Sequence, residues 1–206
     1  MKKEKNKYNL ADITNKLVNS GLVLFDGNTL KNIFEIENKI TFFTVLKNFI
    51  NNKILIKVER NNYLLNNKNV DNFNIANLVY CPSYISFETA LNFYGILSQF
   101  PYEITSVTTK KTIKKEINGF VYSYAHIKSD LFFGYVKKNN ILIAEPEKAL
   151  LDQIYFNLKG LKNISLDEYD FSVIKKGKLK EYYSKYPKTK QTAKMKDIIN
   201  RILNLC

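Results

Sequence analysis

The chain has 206 residues, 32 Lys+Arg against 19 Asp+Glu, and a formal net charge of +13. Its 45% hydrophobic content excludes a disordered polycation. Its longest apolar runs, such as Leu22–Phe25, reach only four residues, far short of the ~20 a membrane-spanning helix needs. Two cysteines, Cys81 and Cys206, make no disulfide framework, and no apolar stretch follows the basic residues 1–8. A reduced, cytoplasmic setting is therefore expected.

The positive charge is unevenly placed. Residues 1–70 carry +6, residues 71–174 carry −1 and residues 175–206 carry +8. Nearly all of it is lysine, which, with abundant asparagine, is what an AT-rich genome writes by default. Uniform drift would not leave the middle neutral, so the two basic ends are candidate polyanion surfaces.

In chain order, Leu10, Ile13, Leu17 and Val18 fall at helical spacing, with Ser20-Gly21 to end the helix. Leu22–Phe25 reads as a brief strand before an Asp26-Gly27 turn. Asn28 or Thr29 is the expected cap of a second helix burying Leu30, Ile33 and Phe34. Asn38 is the expected cap of a third, with Phe43, Leu46, Phe49 and Ile50 as its apolar stripe, ended at Asn51-Asn52-Lys53. Ile54, Ile56 and Val58 then alternate along a strand, Arg60-Asn61-Asn62 turn, and Tyr63-Leu64-Leu65 return.

Helix, short strand, two helices and a hairpin make a winged helix-turn-helix plan, expected over residues 1–68. In that plan the third helix enters the major groove and the wing meets backbone or minor groove. Lys39, Thr41, Phe42, Thr44, Lys47 and Asn48 lie off the expected stripe; Arg60, Asn61, Asn62 and Tyr63 form the wing tip. These ten are the candidate DNA contacts. A solvated helix face on a domain that binds protein is the alternative, since the third helix is poor in lysine.

Residues 69–77 are Asn-rich with few apolar anchors and read as a linker. Residues 78–206 form the second expected domain, a mixed α/β unit with antiparallel hairpins, giving an α+β chain overall. Ser86 is the expected cap of a helix over Phe87–Tyr94. Asn118-Gly119 and the polar turn Lys137–Asn140 mark two hairpins. Pro146 opens a helix whose expected inner face is Leu150, Leu151, Ile154 and Leu158. Ser165-Leu-Asp-Glu168 matches a capping box. It starts a basic helical tail over about 165–206 that is broken near Gly177 and ends in a helix carrying Met195, Ile198, Ile199, Ile202 and Leu203 on one side.

Lys110, Lys111, Lys114 and Lys115 are candidate phosphate contacts, or else a solvated hairpin edge that discourages strand addition. In the tail, lysines interleave with Tyr182, Tyr183 and Tyr186, which suits nucleic acid, although tyrosines at helical spacing also suit a core. His126 is the only histidine, and with two distant cysteines it leaves no zinc set; it reads as structural. Glu145, Glu147 and Asp152 read as dipole partners and surface carboxylates of one helix. With no phosphate-cradling glycine motif and no G-x-S-x-G, no catalytic residue, metal or cofactor is expected.

Five segments in order carry a resemblance. They are Pro82-Ser-Tyr-Ile-Ser-Phe-Glu-Thr-Ala-Leu-Asn-Phe-Tyr-Gly95, Tyr102-Glu-Ile-Thr-Ser-Val-Thr-Thr-Lys-Lys111, Tyr124-Ala-His-Ile127, Phe132-Phe-Gly-Tyr135 and Ile143-Ala-Glu-Pro-Glu-Lys-Ala-Leu-Leu-Asp152. Together they resemble the AbiEi family, antitoxins of bacterial abortive-infection (phage-defence), type IV toxin–antitoxin systems. The resemblance spans roughly residues 10–160.

It implies a non-enzymatic transcriptional repressor whose winged N-domain binds operator DNA, as inverted repeats upstream of its own operon. It also implies a C-domain that counters an AbiEii-type nucleotidyltransferase toxin without a stable complex; from the short apolar runs, no membrane partner is expected. Asn51-Asn52-Lys53 departs from the glycine usual after the third helix. The competing expectations are an RNA- or protein-binding regulatory module whose winged domain does not read specific DNA, and an enzyme that reverses the toxin's modification.

Overall fold

A computed structural model describes residues 8–66 and 71–205. The basic residues 1–7, the start of the expected linker and Cys206 lie outside the described residues. The chain is mixed α+β and divides into two compact units, residues 1–71 and 72–206.

The first unit runs α1 (Leu10–Asn19), β1 (Leu24–Asp26), α2 (Gly27–Phe34), α3 (Lys39–Asn51), β2 (Leu55–Glu59) and β3 (Asn62–Leu65). Its strands form an antiparallel sheet in the order β1-β3-β2. Ile13, Leu17, Phe25, Leu30, Phe34, Phe42, Leu46, Phe49 and Leu55 fill one core. Two of its helix starts are read directly from capping chemistry. Asn38 Oδ1 accepts from the amides of Ile40 at 3.0 Å and Thr41 at 3.1 Å, as expected. At α2 the cap is Asp26 rather than Asn28 or Thr29: its Oδ1 accepts from Thr29 N at 2.7 Å. The expected turn is thus the helix start itself, and the amide bond to Thr29 holds the Asp26 carboxyl below its usual range. After α3 the left-handed residue is Lys53, with φ 56°, not one of the asparagines before it.

The second unit begins with α4 (Asn72–Val79), formed where a linker was expected. Asn77 anchors it: its Oδ1 accepts from Leu142 N at 2.7 Å and its Nδ2 donates to Leu142 O at 3.2 Å. Asparagine-rich composition therefore hides a packed helix whose side-chain amide replaces a backbone partner. There follow β4 (Ser83–Ile85), α5 (Phe87–Phe93), β5 (Glu103–Thr108), β6 (Ile113–Ile117), β7 (Phe120–His126), β8 (Tyr135–Lys138), β9 (Ile141–Ala144), α6 (Pro146–Asn157), α7 (Lys176–Ser184) and α8 (Lys190–Leu205).

One sheet runs β6-β7-β5-β4-β9-β8. Both expected hairpins are present, with positive φ at both central residues of each turn, Asn118-Gly119 and Asn139-Asn140. The sheet is nonetheless mixed, since β5 pairs with β7 and β4 with β9 in parallel.

Helix α6 is not a one-sided amphipathic helix. Every residue from Glu147 to Phe156 is buried, and α5, α7 and α8 all pack on it. Residues 166–168 form only a single 3-10 turn, and Ser165 makes no capping bond. Along α8, Met195, Ile199 and Ile202 are buried as the helical spacing requires. No helix among the described residues is long and apolar enough to cross a membrane.

Candidate nucleic-acid interface

Helix α3 has its phase set by the core. Phe34 lies 5.8 Å from Phe42 and 4.9 Å from Phe49, ring centroid to centroid. The buried stripe is Phe42, Val45, Leu46 and Phe49, one position round from the expected one. Phe43 is correspondingly 51% exposed and Ile40 79% exposed. The outward face therefore reads Lys39, Ile40, Phe43, Thr44 and Lys47, spaced three and four apart.

Of the candidate contacts on α3, Lys39, Thr44 and Lys47 are exposed. Thr41 and Asn48 are half-buried at the edges of that face, and the Thr41 hydroxyl lies 3.3 Å from Asn38 Oδ1. Phe42 does not belong to the face: it is a core residue, 5% exposed. The exposed apolar residues of that face are Ile40 and Phe43. The signal for them was present, since four consecutive apolar or Thr positions at 40–43 cannot all face inward.

The hairpin turn is short and held down. Gly27 N donates to Asn61 O at 3.1 Å. A Cβ on Gly27 would stand 2.1 Å from Asn61 Oδ1, so the asparagine side chain sits where only glycine leaves room. Asn62 Nδ2 donates to Glu59 Oε1 at 3.0 Å. Tyr63 is not at the exposed tip where it was expected: it is buried at 6% exposure, as are Leu64 and Leu65 after it, and it packs in the core. Arg60 and Asn61 remain as the exposed tip.

The second unit separates the four candidate phosphate lysines. Strand β6 sends Lys114 and Lys115 to opposite faces. Lys114 pairs with Glu103, and that ion pair holds the Glu103 carboxyl down against the opposing effect of burial. Lys115 Nζ lies 5.2 Å from the Tyr80 ring centroid and contacts Val79 O at 3.4 Å. Lys110 and Lys111 are exposed on the loop before β6 and line an open cleft with Tyr80, Thr109, Thr112 and His126. The histidine expected to be structural is exposed there.

The carboxylates of α6 depart most from expectation. Asp152 and Lys148 are both fully buried and form an ion pair four residues apart. Asp152 Oδ2 accepts from Tyr84 Oη at 3.0 Å and from Ser86 Oγ at 2.8 Å. Lys148 Nζ donates to Tyr186 Oη at 3.2 Å and lies 4.9 Å from the Phe133 ring centroid. Burial pulls the Lys148 ammonium down and pushes the Tyr84 and Tyr186 phenols up, with the Asp152 charge adding to the latter two. Ser86 consequently does not cap α5, although it precedes it.

Glu147 Oε1 accepts from Lys175 N at 2.9 Å. Glu145 pairs with Lys178 at 2.5 Å and accepts from Tyr182 Oη. Those partners outweigh burial and hold its carboxyl below the usual range. None of these three is a surface carboxylate. Tyr182 and Tyr186 are core residues, and Tyr183 Oη donates to Thr192 O at 2.8 Å. The tail's aromatics are therefore engaged internally and do not form a nucleic-acid platform. The lysines Lys175, Lys176, Lys180, Lys185, Lys188, Lys190, Lys194 and Lys196 are exposed.

No protein-family model matches the chain, and no curated protein matches it.

Proposed function

We propose that the first unit is a winged helix-turn-helix that reads operator DNA through α3. The whole chain is then a non-enzymatic, cytoplasmic antitoxin and autorepressor of the AbiEi kind. The observation that carries this reading is the outward face of α3. It combines two lysines for phosphates, a threonine hydroxyl, and the apolar Ile40 and Phe43 suited to thymine methyl groups. The element order and the β1-β3-β2 sheet support the same reading. The second unit would act against an AbiEii-type nucleotidyltransferase toxin; the support there is the sequence resemblance over its five segments.

A mobility shift of full-length protein on the DNA upstream of its own gene tests the repressor half. A specific shift at low salt is expected; folded protein with no preference over random DNA would overturn it. For the antitoxin half, co-expression with the neighbouring toxin gene should restore growth, and a chain lacking residues 72–206 should not restore it.

A second reading has one observation in its favour. Ile40 and Phe43 together make an apolar patch that also suits a protein partner. In that case Phe43→Ala would abolish partner capture while Lys47→Ala left it unchanged.

A further inference from the structure

The cleft beside β6 is unassigned by the reading above. It has a volume of about 660 Å³ and is lined by Tyr80, Thr109, Lys110, Lys111, Thr112 and His126, with no carboxylate among them. A lining of two cations, two threonine hydroxyls, an imidazole and a phenol is unusual in a stretch of chain whose net charge is −1.

The rim is held in place by bonds that a merely solvated loop would not need. Tyr80 Oη donates to Lys111 O at 3.0 Å. Lys110 N donates to Thr108 Oγ1 at 3.1 Å, and that hydroxyl donates to Pro82 O at 2.7 Å. His126 N donates to Thr112 Oγ1 at 3.0 Å. Loop 108–112 is thus tied to the end of α4, to the start of β4 and to the end of β7. The lysines it carries are presented from a fixed backbone.

The imidazole is oriented as well. His126 Nδ1 lies 2.9 Å from Lys110 O. A carbonyl only accepts, so Nδ1 carries the hydrogen and Nε2 is the ring's free acceptor in the neutral form. Lys110 Nζ lies 5.3 Å from the Tyr80 ring centroid, which places a cation and an aromatic surface together at the mouth.

We infer that this cleft binds a nucleotide through its phosphate, either as a free nucleotide or as one unit of an RNA strand. Each chemical part has a counterpart. Lys110 and Lys111 meet the phosphate oxygens, with the Thr109 and Thr112 hydroxyls beside them. The His126 acceptor meets a ribose hydroxyl or base amino group, and Tyr80 offers an aromatic edge to the base. A bare inorganic anion would leave the last two unused. The site lies wholly within the second unit and does not depend on operator reading by α3.

His126 supplies the test, because the chain has one histidine and so one imidazole Hε1 proton resonance. Full-length protein is titrated with adenosine 5′-monophosphate, with a short single-stranded RNA, and with adenosine as the phosphate-free control. Saturable movement of the resonance is expected with at least one phosphate-bearing probe. Saturation by the monophosphate assigns a free nucleotide, and saturation by RNA alone assigns a strand.

Lys110→Gln combined with Lys111→Gln should weaken the effective probe by at least about tenfold, since each loses a charge-assisted hydrogen bond. Both side chains are exposed, so the fold should persist, which circular dichroism checks. Lys47→Ala should change nothing at this resonance. The inference is overturned if neither phosphate probe moves the resonance, if adenosine moves it as far, or if the double variant binds as the parent does.

Discussion

Ser86 Oγ donates to Asp152 Oδ2 at 2.8 Å, joining the end of β4 to the middle of α6 across 66 residues of sequence. Tyr84 and Tyr186 reach the same carboxylate, and Lys148 neutralises it. Two of the segments that carry the sequence resemblance, 82–95 and 143–152, therefore converge on one buried polar cluster. Tyr186 brings the C-terminal helices to it as well.

That convergence fixes the cost of breaking it. Asp152→Ala strands a buried ammonium and should destabilise the full chain by about 3–5 kcal/mol. Replacing both charges, Lys148→Met with Asp152→Leu, should cost clearly less than Asp152→Ala alone, because no unpaired charge remains. Urea unfolding measures both; equal losses would contradict the ion-pair account.

The α3 face and core can be separated by neighbouring phenylalanines. Phe42→Ala should destabilise the first unit by about 3–5 kcal/mol, as a deleted core ring does. Phe43→Ala should cost far less, about 0.5–1.5 kcal/mol for its edge contact with Phe42, yet lower affinity for operator DNA. Thermal unfolding and mobility shifts on the same two proteins decide it.

Gly27 and Asn61 are coupled sterically. Gly27→Ala should cost up to about 1 kcal/mol, because the exposed Asn61 side chain must turn away from the new methyl group. Adding Asn61→Gly should recover part of that loss, because Asn61 already has φ 66°, where glycine is at ease. A double-mutant cycle showing simple additivity would contradict the contact.

Alkali should unfold the second unit. Burial, with the Asp152 carboxylate adding, raises the Tyr84 and Tyr186 phenols, and burial with Glu145 nearby raises Tyr94 and Tyr182 to about 12. An unfolded tyrosine loses its proton near 10. The folded chain thus holds protons that the unfolded chain releases above that pH. The stabilisation is complete below about pH 10 and lost as pH climbs through about 12. Urea midpoints should hold between pH 9 and about pH 10 and then fall at about pH 11 and again at about pH 12; a series flat across that window would contradict the burial of these phenols.

Local chemistry was readable where it is local. The Asn38 cap, the Asn118-Gly119 turn and the inner face of α8 follow from a few adjacent residues. The phase of α3 does not, because Ile40, Phe42, Phe43, Val45, Leu46, Phe49 and Ile50 cover more than half the helix surface. Contact with Phe34 then decides which of them turn inward. Asp152 read as a surface carboxylate because its hydroxyl partners Tyr84, Ser86 and Tyr186 lie far away in sequence, at β4 and in the tail. The hint was in α6 itself, where Ala149-Leu150-Leu151 and Ile154-Tyr155-Phe156 leave no face for solvent. Residues 69–77 read as a linker because the bond that makes Asn77 a core residue is to Leu142, 65 positions away.

The central claim is that α3 lies against DNA phosphates with Lys47 among its contacts. The most direct measurement is the salt dependence of binding of the full chain to the DNA upstream of its gene, compared with Lys47→Ala. The account predicts a steep negative slope of log affinity on log salt that becomes shallower by about 0.9 in the variant. A slope unchanged by Lys47→Ala, or no specific binding by folded protein at low salt, would contradict it.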